Sequence, residues 1–380
     1  MVKLGSIAPL SYAPGELQYF AFVRGQVGAD CHQAPDFHTL PDGRVRVVWS
    51  AYDRHECSSN CACLYSESAD KGCTWTDPQV YFADCPGGNP KLVFLRPRDS
   101  QCALLFTTQA RHAIEFDGVR RVWRAREYSE CPARIALRTS SDGGLTFNHG
   151  EEFPYQLVTG GKEFPRIGFY GTLHGMIQLS NGRIVASAYY LDPDLCERFG
   201  GQHYVVAFLI SDDEGRTWQR SNPISTDTPR GAMEPTMVET DPGCLYCLLR
   251  TQGGFLYETR SEDHGMTWGA PRASVLPSPE SKPRMIRLHS GKLLLVWNNT
   301  SSTTGHPRHP LVAALSADGG RTWGAAKVIA DETGLNQLSN HGLLQLEDGR
   351  ILLGLSHYHA RRPMTSDLDM ALFDQAWLEG

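Results

Sequence analysis

The chain has 380 residues, of which 41% are hydrophobic and 21% are charged, and its net charge is −6. This composition can bury a sizeable core, and the acidic balance argues against a broad nucleic-acid-binding surface, which needs clustered Lys and Arg. No segment approaches about 18 consecutive apolar residues, so we expect no membrane span. Residues 1–20 lack the apolar run of a secretory signal, so we expect a cytoplasmic protein unless a signal has been removed.

Six turn sequences flanked by apolar runs predict β-hairpins. Most place Asp-Gly, Asn-Gly or a related Gly turn between β-rich segments, which is typical of tight hairpins. In chain order the hairpins lie at 40–49, 94–106, 179–185, 240–246, 288–297 and 346–353.

A second pattern, Ser-x-Asp-x-Gly-x-Thr-aromatic, alternates with these hairpins. It occurs at 68–75, 140–147, 211–218, 261–268 and 316–323. The Asp carboxylate can accept hydrogen bonds from backbone N–H groups of the turn, the Gly supplies a positive φ, and the Thr and aromatic residues favour strands. Because this turn chemistry accounts for the five Asp residues, we assign them no catalytic role.

The spacing of the two patterns predicts the fold. Successive Asp residues of the second pattern lie 72, 71, 50 and 55 positions apart, close to the length of one four-stranded propeller blade, with insertions in the first two intervals. Six hairpins alternating with five Asp turns indicate six blades, one of which lacks the turn. We therefore predict an all-β protein in which residues 1–380 form a single six-bladed β-propeller of four-stranded antiparallel blades, with the Asp turns at its periphery.

Eleven cysteines raise the question of a metal site. Cys57, Cys61, Cys63 and Cys73 crowd one region, but their spacing does not match the paired Cys-x2-Cys units of zinc sites. Reduced, partly buried thiols are the better interpretation. We predict no metal and no cofactor.

The five Asp turns, the Gly-Asn-Pro at 88–90 and the order of the hairpins make residues 30–360 resemble the sialidase-like (neuraminidase) superfamily, in which the Asp turns are the Asp boxes of bacterial neuraminidase repeats. The resemblance implies an enzyme in which three Arg bind the carboxylate of a sialic acid. It also implies a Tyr, activated by a Glu, that attacks the anomeric carbon, and an Asp that serves as acid and base. Asp boxes also occur in non-enzymes, so the reaction has to be argued from the centre of the ring.

Local motifs in this chain resemble those that hold several of these residues in the family. Glu234 precedes a hairpin and Arg250 ends it, just ahead of the fourth Asp box, so they resemble the Glu and the second Arg of the family. Arg308 resembles the third Arg, ahead of the last Asp box. Asp53, after the first hairpin, is the candidate acid/base residue, and Glu56 fits about as loosely.

Two central positions depart from the family. Gln33 stands where the first Arg would be, so the carboxylate clamp is incomplete. Asn340, nine residues before Gly349, stands where the nucleophilic Tyr would be, and an amide cannot be that nucleophile.

Further ionisable residues lie at the starts and ends of the hairpins, where propeller ligand sites are usually built. A His near neutral pKa can act as acid or base, and Arg can bind the carboxylate of a uronate or sialate. The candidate catalytic residues are His32, Asp53, Glu234 and Tyr358. The candidate substrate-binding residues are Gln33, Arg54, Arg166, His174, Arg250, Arg284, Arg308, Asn340 and His341, with His55 beside them.

The residues leave three functions open. The first is an exo-glycosidase that releases a terminal acidic sugar, either sialidase-like or with Glu234 and Asp53 serving an inverting hydrolysis. The second is a lyase that cleaves next to a uronic acid by β-elimination, with His32 or Tyr358 as base. The third is a non-catalytic glycan-binding propeller. In each case we expect an acidic oligosaccharide or glycoconjugate as partner, and the crowding of ionisable residues favours the enzyme.

Structural roles compete with these assignments. Glu234 and Arg250 could form a purely structural ion pair. His174 could be a core histidine, and Arg284 could be a solvated strand residue.

Overall fold

The computed structural model of the protein describes residues 12–54, 61–82, 91–98, 102–109, 113–117, 120–124, 134–148, 151–152, 171–303, 307–360 and 365–380. Within these ranges the secondary structure is almost entirely β-strand, and the two helices have seven and five residues. The all-β class predicted from the sequence is confirmed. No helix among the described residues has the length and apolar character that crossing a membrane requires.

The strands follow one another along the chain with few long gaps. The first are β1 (Gln18–Val23), β2 (Cys31–Thr39), β3 (Val45–Tyr52), β4 (Cys61–Ser68), β5 (Gln79–Phe82) and β6 (Lys91–Leu95). Next come β7 (Ala103–Gln109), β8 (Ala113–Asp117), β9 (Arg120–Arg124), β10 (Arg134–Ser140), β11 (Glu151–Glu152), β12 (Gly171–Gln178), β13 (Ile184–Leu191), the helix α1 (Pro193–Phe199), β14 (Tyr204–Ser211) and β15 (Gln219–Arg220). The last are β16 (Met233–Asp241), β17 (Cys244–Arg250), β18 (Phe255–Ser261), β19 (Arg272–Pro277), β20 (Arg284–Arg287), β21 (Leu293–Asn298), β22 (Leu311–Ser316), β23 (Lys327–Ala330), β24 (Gln337–Gln345), β25 (Ile351–His359), β26 (Thr365–Phe373) and the helix α2 (Gln375–Glu379).

The strands form a propeller-like arrangement of antiparallel sheets. Four sheets in the described part of the chain have four strands each, in the orders β11-β10-β7-β6, β12-β13-β14-β15, β16-β17-β18-β19 and β20-β21-β22-β23. β8 and β9 form a separate two-stranded sheet. The sequence predicted six separate four-stranded blades, and the structure shows four.

The difference lies in one eight-stranded sheet. β2, β3, β4 and β5 pair antiparallel on one side of it, and β24, β25, β26 and β1 pair antiparallel on the other. The two groups meet at a single parallel pair, Cys31 with Ser366. Ser366 reinforces this junction because its hydroxyl donates a hydrogen bond of 2.6 Å to the backbone oxygen of His32.

All six predicted hairpins are present. They join β2 to β3, β6 to β7, β12 to β13, β16 to β17, β20 to β21 and β24 to β25. The first strands of these hairpins contact one another in a closed ring, in the order β2, β6, β12, β16, β20, β24 and back to β2. They therefore surround a common axis.

Asp70 shows the turn chemistry of the Asp boxes. Its Oδ1 accepts hydrogen bonds from the backbone N–H of Thr74 at 2.7 Å and from the hydroxyl of Ser68 at 2.8 Å, and its Oδ2 accepts one from the Thr74 hydroxyl at 2.6 Å. The same bonds recur in the other four boxes, at Asp142, Asp213, Asp263 and Asp318. The local geometry predicted for this motif is present in every copy.

The core lies between neighbouring sheets. Val206 and Phe208 of β14, for example, pack with Met237 of β16 and Leu249 of β17. Similar apolar clusters join the other neighbouring groups of strands. Central strands such as β3, β13 and β14 are buried along their whole length, because both faces of these strands pack against other parts of the protein.

The hairpin turns and the Asp boxes share one end of the strands. The backbone N–H of His264, in an Asp box, donates a hydrogen bond of 2.9 Å to the oxygen of Gly243, in a hairpin turn. The opposite end, where the first strands begin and the second strands end, therefore holds most of the candidate site residues.

Candidate active site

Three first strands carry a strained residue at the same place, close to this opposite end. Ala34, Glu234 and Asn340 have φ values of 51°, 46° and 56°. Positive φ is uncommon for residues with a Cβ, and such strain costs about 1–3 kcal/mol and concentrates at functional sites. The hairpin glycines that follow nine residues later are Gly43, Gly243 and Gly349.

A β-bulge accompanies each strained residue. In β16, Met233 pairs with Arg250 and Thr236 pairs with Leu248, so two residues of the first strand oppose one residue of the second. The pairing shifts in the same way in β2 and β24, and a related shift occurs in β12. A bulge interrupts the regular alternation of side chains, and bulges are frequent next to active sites because they re-aim a side chain.

The bulged Glu234 forms an ion pair with Arg250. Its Oε2 lies 2.5 Å from Nη1 of Arg250, and the two side chains are 7% and 12% exposed. Glu280 Oε1 lies 3.7 Å from Nη2 of the same Arg250, and Glu280 also pairs with Arg230 and accepts a hydrogen bond of 2.8 Å from Gln252. Burial by itself would lower the pKa of Arg250, but the two carboxylates outweigh it and raise the pKa. Arg250 is therefore held in place and charged.

A second arginine, Arg308, lies in the same recess. Burial lowers its pKa to about 10, and the charge of Arg250 acts in the same direction, whereas Glu234, Glu280 and Tyr358 oppose the shift. Arg308 is nevertheless only half-buried by exposed area, so it stands deep in the recess without being sealed from solvent. Two guanidinium groups that repel each other in a recess favour the binding of an anion.

Asn340, the residue at the nucleophile position of the resemblance, contacts Tyr358. Its Nδ2 donates a hydrogen bond of 2.8 Å to the Tyr358 hydroxyl. Tyr358 lies at the end of β25, paired with Gln337 of β24, and its side chain is buried. Because Tyr358 also acts on the pKa of Arg308, its hydroxyl stands within electrostatic range of that cation.

A lysine completes the positive charge of this cluster. The pKa of His341 falls to about 3, first because His341 is buried and then because Lys282 and Arg308 are near. Lys282 itself is only 9% exposed. The cluster therefore contains four cations and two carboxylates, namely Arg230, Arg250, Lys282 and Arg308 with Glu234 and Glu280.

The sequence reasoning missed Glu280 and Lys282. A signal for Lys282 was present, because Lys282-Pro283 lies nine and eight residues before the hairpin Gly291, as Ala34-Pro35 and Glu234-Pro235 do before theirs. This x-Pro repeat marks the first strands where they approach the recess. Nothing comparable in the sequence marks Glu280, which precedes β20 in an irregular segment.

The three candidate histidines are buried. His32 is fully buried, and its Nδ1 accepts a hydrogen bond of 3.0 Å from the indole of Trp49, while burial lowers its pKa to about 4. His341 Nε2 lies 3.2 Å from the backbone oxygen of Leu338. His174 is 7% exposed, and its ring centre lies 6.0 Å from that of Tyr189. His32 and His341 therefore present neutral rings to the protein interior rather than to a substrate, which places His32 away from the acid/base role expected of it.

The remaining described candidates make contacts with residues outside the cluster. Gln33 is buried, with its amide nitrogen 3.5 Å from Cys31 Sγ. Asp53 follows β3 and is half-buried, and its Oδ2 lies 3.6 Å from Nε of the exposed Arg54. The Nη2 of Arg284 lies 3.5 Å from Asp36 Oδ1, across the axis from β20 to β2. Arg166, His55, Glu56 and the Gly-Asn-Pro at 88–90 lie outside the described residues.

Glu234, Arg250, Arg308, Asn340 and Tyr358 are thus brought together from β16, β17, β24, β25 and the segment before β22. Residues distant in the chain meet at one end of a ring of strands, in a polar recess with excess positive charge. These features define a propeller-like all-β protein with a candidate site for an anionic ligand.

The family is established by the comparisons. The chain belongs to the family of BNR repeat-like domains, which it matches over residues 43–353. No curated protein matches the chain.

Solved structures agree on the fold. The Hadza microbial sialidase Hz136 superposes with a TM-score of 0.69 at 17% identity, over 92% of this chain and 66% of that sialidase, so this chain spans just under two thirds of its length. A protein of unknown function from Dyadobacter fermentans gives 0.71 at 17% identity, over 95% of this chain and all of that one. The intramolecular trans-sialidase from Ruminococcus gnavus gives 0.67 at 15% identity, over 93% of this chain and 96% of that one. At these identities the likeness concerns the fold.

Proposed function

We propose that the protein is a sialidase-like glycoside hydrolase that releases a terminal acidic sugar from a glycan. The observation that carries the proposal is the grouping of Arg250 and Arg308 beside the Asn340–Tyr358 pair at one end of the ring. A carboxylated sugar bound by the two arginines would place its ring next to the tyrosine hydroxyl.

The carboxylate of the sugar would bring negative charge into a recess that has an excess of positive charge. A guanidinium offers a planar pair of N–H donors that matches a carboxylate. Arg250 is oriented by Glu234 and Glu280, so little side-chain entropy is lost on binding. Gln33 does not supply the third arginine of the family, and we propose Lys282 as the third cation.

Tyr358 is the proposed reacting group. Its hydroxyl accepts a hydrogen bond of 2.8 Å from the amide of Asn340 and lies within electrostatic range of Arg308, so it stands beside the arginines that would bind the sugar carboxylate. Asp53, half-buried at the end of β3, is the proposed acid that protonates the leaving group. Glu234 acts through Arg250, which its carboxylate positions.

A lyase is the second candidate, and the Asn340–Tyr358 pair favours it. In a β-elimination the base removes the proton beside the uronate carboxylate, and neutralising that carboxylate makes the C–H more acidic. A tyrosine held by an amide and adjacent to two arginines can perform this step without forming a covalent intermediate. The same residues would then act on a uronic acid instead of a sialic acid.

Product analysis distinguishes these functions. The purified protein is incubated with aryl sialosides, aryl uronides and uronate-containing oligosaccharides, and both released reducing sugar and the ultraviolet absorbance of an unsaturated uronate are followed. Reducing sugar from an acidic exo-substrate, without unsaturated product, supports the hydrolase. Unsaturated product supports the lyase. Saturable glycan binding without either product would reject both enzymes in favour of a binding propeller.

We also propose that the propeller has six blades. Among the described residues, the parallel pair of Cys31 with Ser366 is the only strand pairing between the two halves of the eight-stranded sheet. Trp49 of one half and Leu352 of the other belong to one apolar cluster, as expected for blades that pack face to face. The closed ring of six first strands supports the same count.

A further inference from the structure

A second cavity lies at the other end of the axis, where the hairpin turns are. Its volume is about 220 Å³, and it is lined by Arg98 and by residues 175–178, 236–239 and 284–287. These segments are the turn-side parts of β12 and β16 and the whole of the short strand β20, which leads to its turn. Neither Arg250 nor Arg308 is among the lining residues, so the cavity is distinct from their recess, which lies where the second strands end.

Three arginines and one carboxylate give this cavity its charge. The carboxylate of Glu239 is already hydrogen-bonded by the backbone N–H and hydroxyl of Ser180, at 2.7 and 2.9 Å, and by the N–H of Gly243 at 3.0 Å. It is therefore held on the turn side of the cavity wall by three donors. Because these three donors bind the Glu239 carboxylate, the arginine side chains are available to other partners.

The guanidinium groups of the three arginines make few hydrogen bonds to the described residues. Arg287 Nη1 donates only a long hydrogen bond of 3.4 Å to the backbone oxygen of Glu239. Arg284 has Asp36 at 3.5 Å, and the bond of Arg98 to Gln178 comes from its backbone N–H. Within the described ranges, neither Arg98 nor Arg287 contacts a carboxylate, so the lining carries excess positive charge.

The size of the cavity limits the ligand. At about 30 Å³ per water molecule, 220 Å³ corresponds to about seven waters. Drug-sized ligands occupy pockets of about 300–1,000 Å³, so an oligosaccharide does not fit. A tetrahedral oxyanion fits, and its several oxygens suit guanidinium groups that approach from different strands.

We propose that this cavity binds a phosphate or sulfate group, either the free ion or the monoester of a small molecule, through Arg98, Arg284 and Arg287. The site bridges the ends of three first strands near the axis. Binding there would tie three sheets together at the end opposite the proposed active site. The proposal does not depend on the glycosidase reaction.

The test measures the binding of inorganic phosphate, inorganic sulfate and glucose 6-phosphate by calorimetry and by the shift in melting temperature, with chloride at matched ionic strength as reference. We expect saturable binding to the wild type, weakened about tenfold or more in R98Q and in R287Q, because each removes a charge-assisted hydrogen bond. The matched control is R272Q, which removes an exposed arginine paired with Glu258 on the outer strand β19. R308Q tests the other recess.

Each outcome decides the question. Binding of the inorganic ions alone identifies the free oxyanion as ligand, and tighter binding of glucose 6-phosphate identifies a monoester. Absence of saturable binding in the wild type overturns the proposal. Affinity that falls in R308Q but not in R98Q or R287Q also overturns it, because the anion would then occupy the recess of Arg250 and Arg308.

Discussion

The side-chain amide of Asn340 donates a hydrogen bond of 2.8 Å to the hydroxyl of Tyr358 on the neighbouring strand. In the sequence, Asn340 occupies the position at which the sialidase resemblance implies a nucleophilic Tyr. The structure places a phenol one strand away, joined to that amide. The bulge at Asn340, whose φ is 56°, aims the amide at the hydroxyl, and Asn is among the residues that tolerate this backbone conformation best.

Replacing Tyr358 by Phe should remove the activity and leave the fold nearly unchanged. Loss of the reacting hydroxyl should lower kcat by about 10²-fold or more on the acidic substrate. The lost hydrogen bond itself should cost only about 0.5–1.5 kcal/mol of unfolding free energy. The measurements are steady-state kinetics and urea unfolding.

The matched control is Y65F, which removes a hydroxyl bonded to Gln79 on the outer part of a sheet. It should keep full activity. Undiminished turnover in Y358F would mean that another group reacts with the substrate.

Arg250 and Arg308 should differ in their effect on stability, although both bind the substrate carboxylate. R250A removes the ion-pair partner of the buried carboxylate of Glu234, whereas Glu280 keeps its pair with Arg230, and the loss should cost about 3–5 kcal/mol of unfolding free energy. R308Q removes a cation that is repelled by Arg250, so the unfolding free energy of this variant should differ from that of the wild type by less than about 1 kcal/mol.

Chemical unfolding and substrate affinity, measured side by side, check this contrast. Both variants should bind acidic substrate at least about 100-fold more weakly. The double variant E234Q/R250Q should regain much of the stability lost in R250A, because it removes the buried charge as well. Equal stability of R250A and the wild type would show that the ion pair with Glu234 does not hold the recess together.

The Asp boxes should give the protein stability that is lost in acid. Hydrogen bonds from the hydroxyl and backbone N–H of Thr217 lower the pKa of Asp213 from 3.8 to about 2. The ionised carboxylate therefore contributes stability above pH about 4, and this contribution disappears as the pH falls through about 2. The melting temperature of D213N should lie below that of the wild type at pH 7, and the difference should shrink towards pH 2.

D77N is the control for this experiment, because Asp77 is exposed and lies outside the box. Its melting curve should follow the wild type at every pH. A gap between D213N and the wild type that stays constant from pH 7 to pH 2 would contradict the assignment.

His357 should have the opposite pH dependence. Burial by itself would lower its pKa, but the hydrogen bond to Asp369 at 2.8 Å and the charges of Asp369 and Glu332 raise it above 6.5. The protonated ring therefore contributes stability that is fully present below pH about 6.5 and is lost as the pH rises through the raised pKa. Since Asp369 also accepts a hydrogen bond from Tyr19 of β1, the effect reaches the strand that pairs with β26.

Melting temperatures of H357Q and of the exposed control H289Q, taken from pH 5 to pH 9, check this. H357Q should be least stable relative to the wild type at pH 5 to 6, and the two should converge towards pH 9. A deficit that grows with pH would reverse the sign and refute the assignment.

Local sequence signals predicted the hairpins and the Asp boxes correctly, because their geometry depends on residues within one turn. In the first Asp box, Thr74 donates its hydrogen bonds to Asp70, and Lys71 and Gly72 between them have positive φ, so one turn contains all of this chemistry. The order of these signals was also enough to indicate a ring of sheets. The number of separate sheets was not predicted correctly, because the contact of Cys31 with Ser366 joins residues from the two ends of the chain.

The membership of the candidate site was decided by tertiary structure. Arg308, His32 and Arg284 all lie near hairpin ends in the sequence, so sequence position alone could not tell which of them belongs to the site. In the structure Arg308 faces the recess, His32 is buried against Trp49, and Arg284 reaches Asp36. Side-chain direction in a strand reverses with every residue and shifts again at each bulge, so it follows from strand pairing rather than from local sequence. The sequence by itself therefore determined the repeat and its turns, whereas the pairing of distant strands around one axis determined which side chains meet.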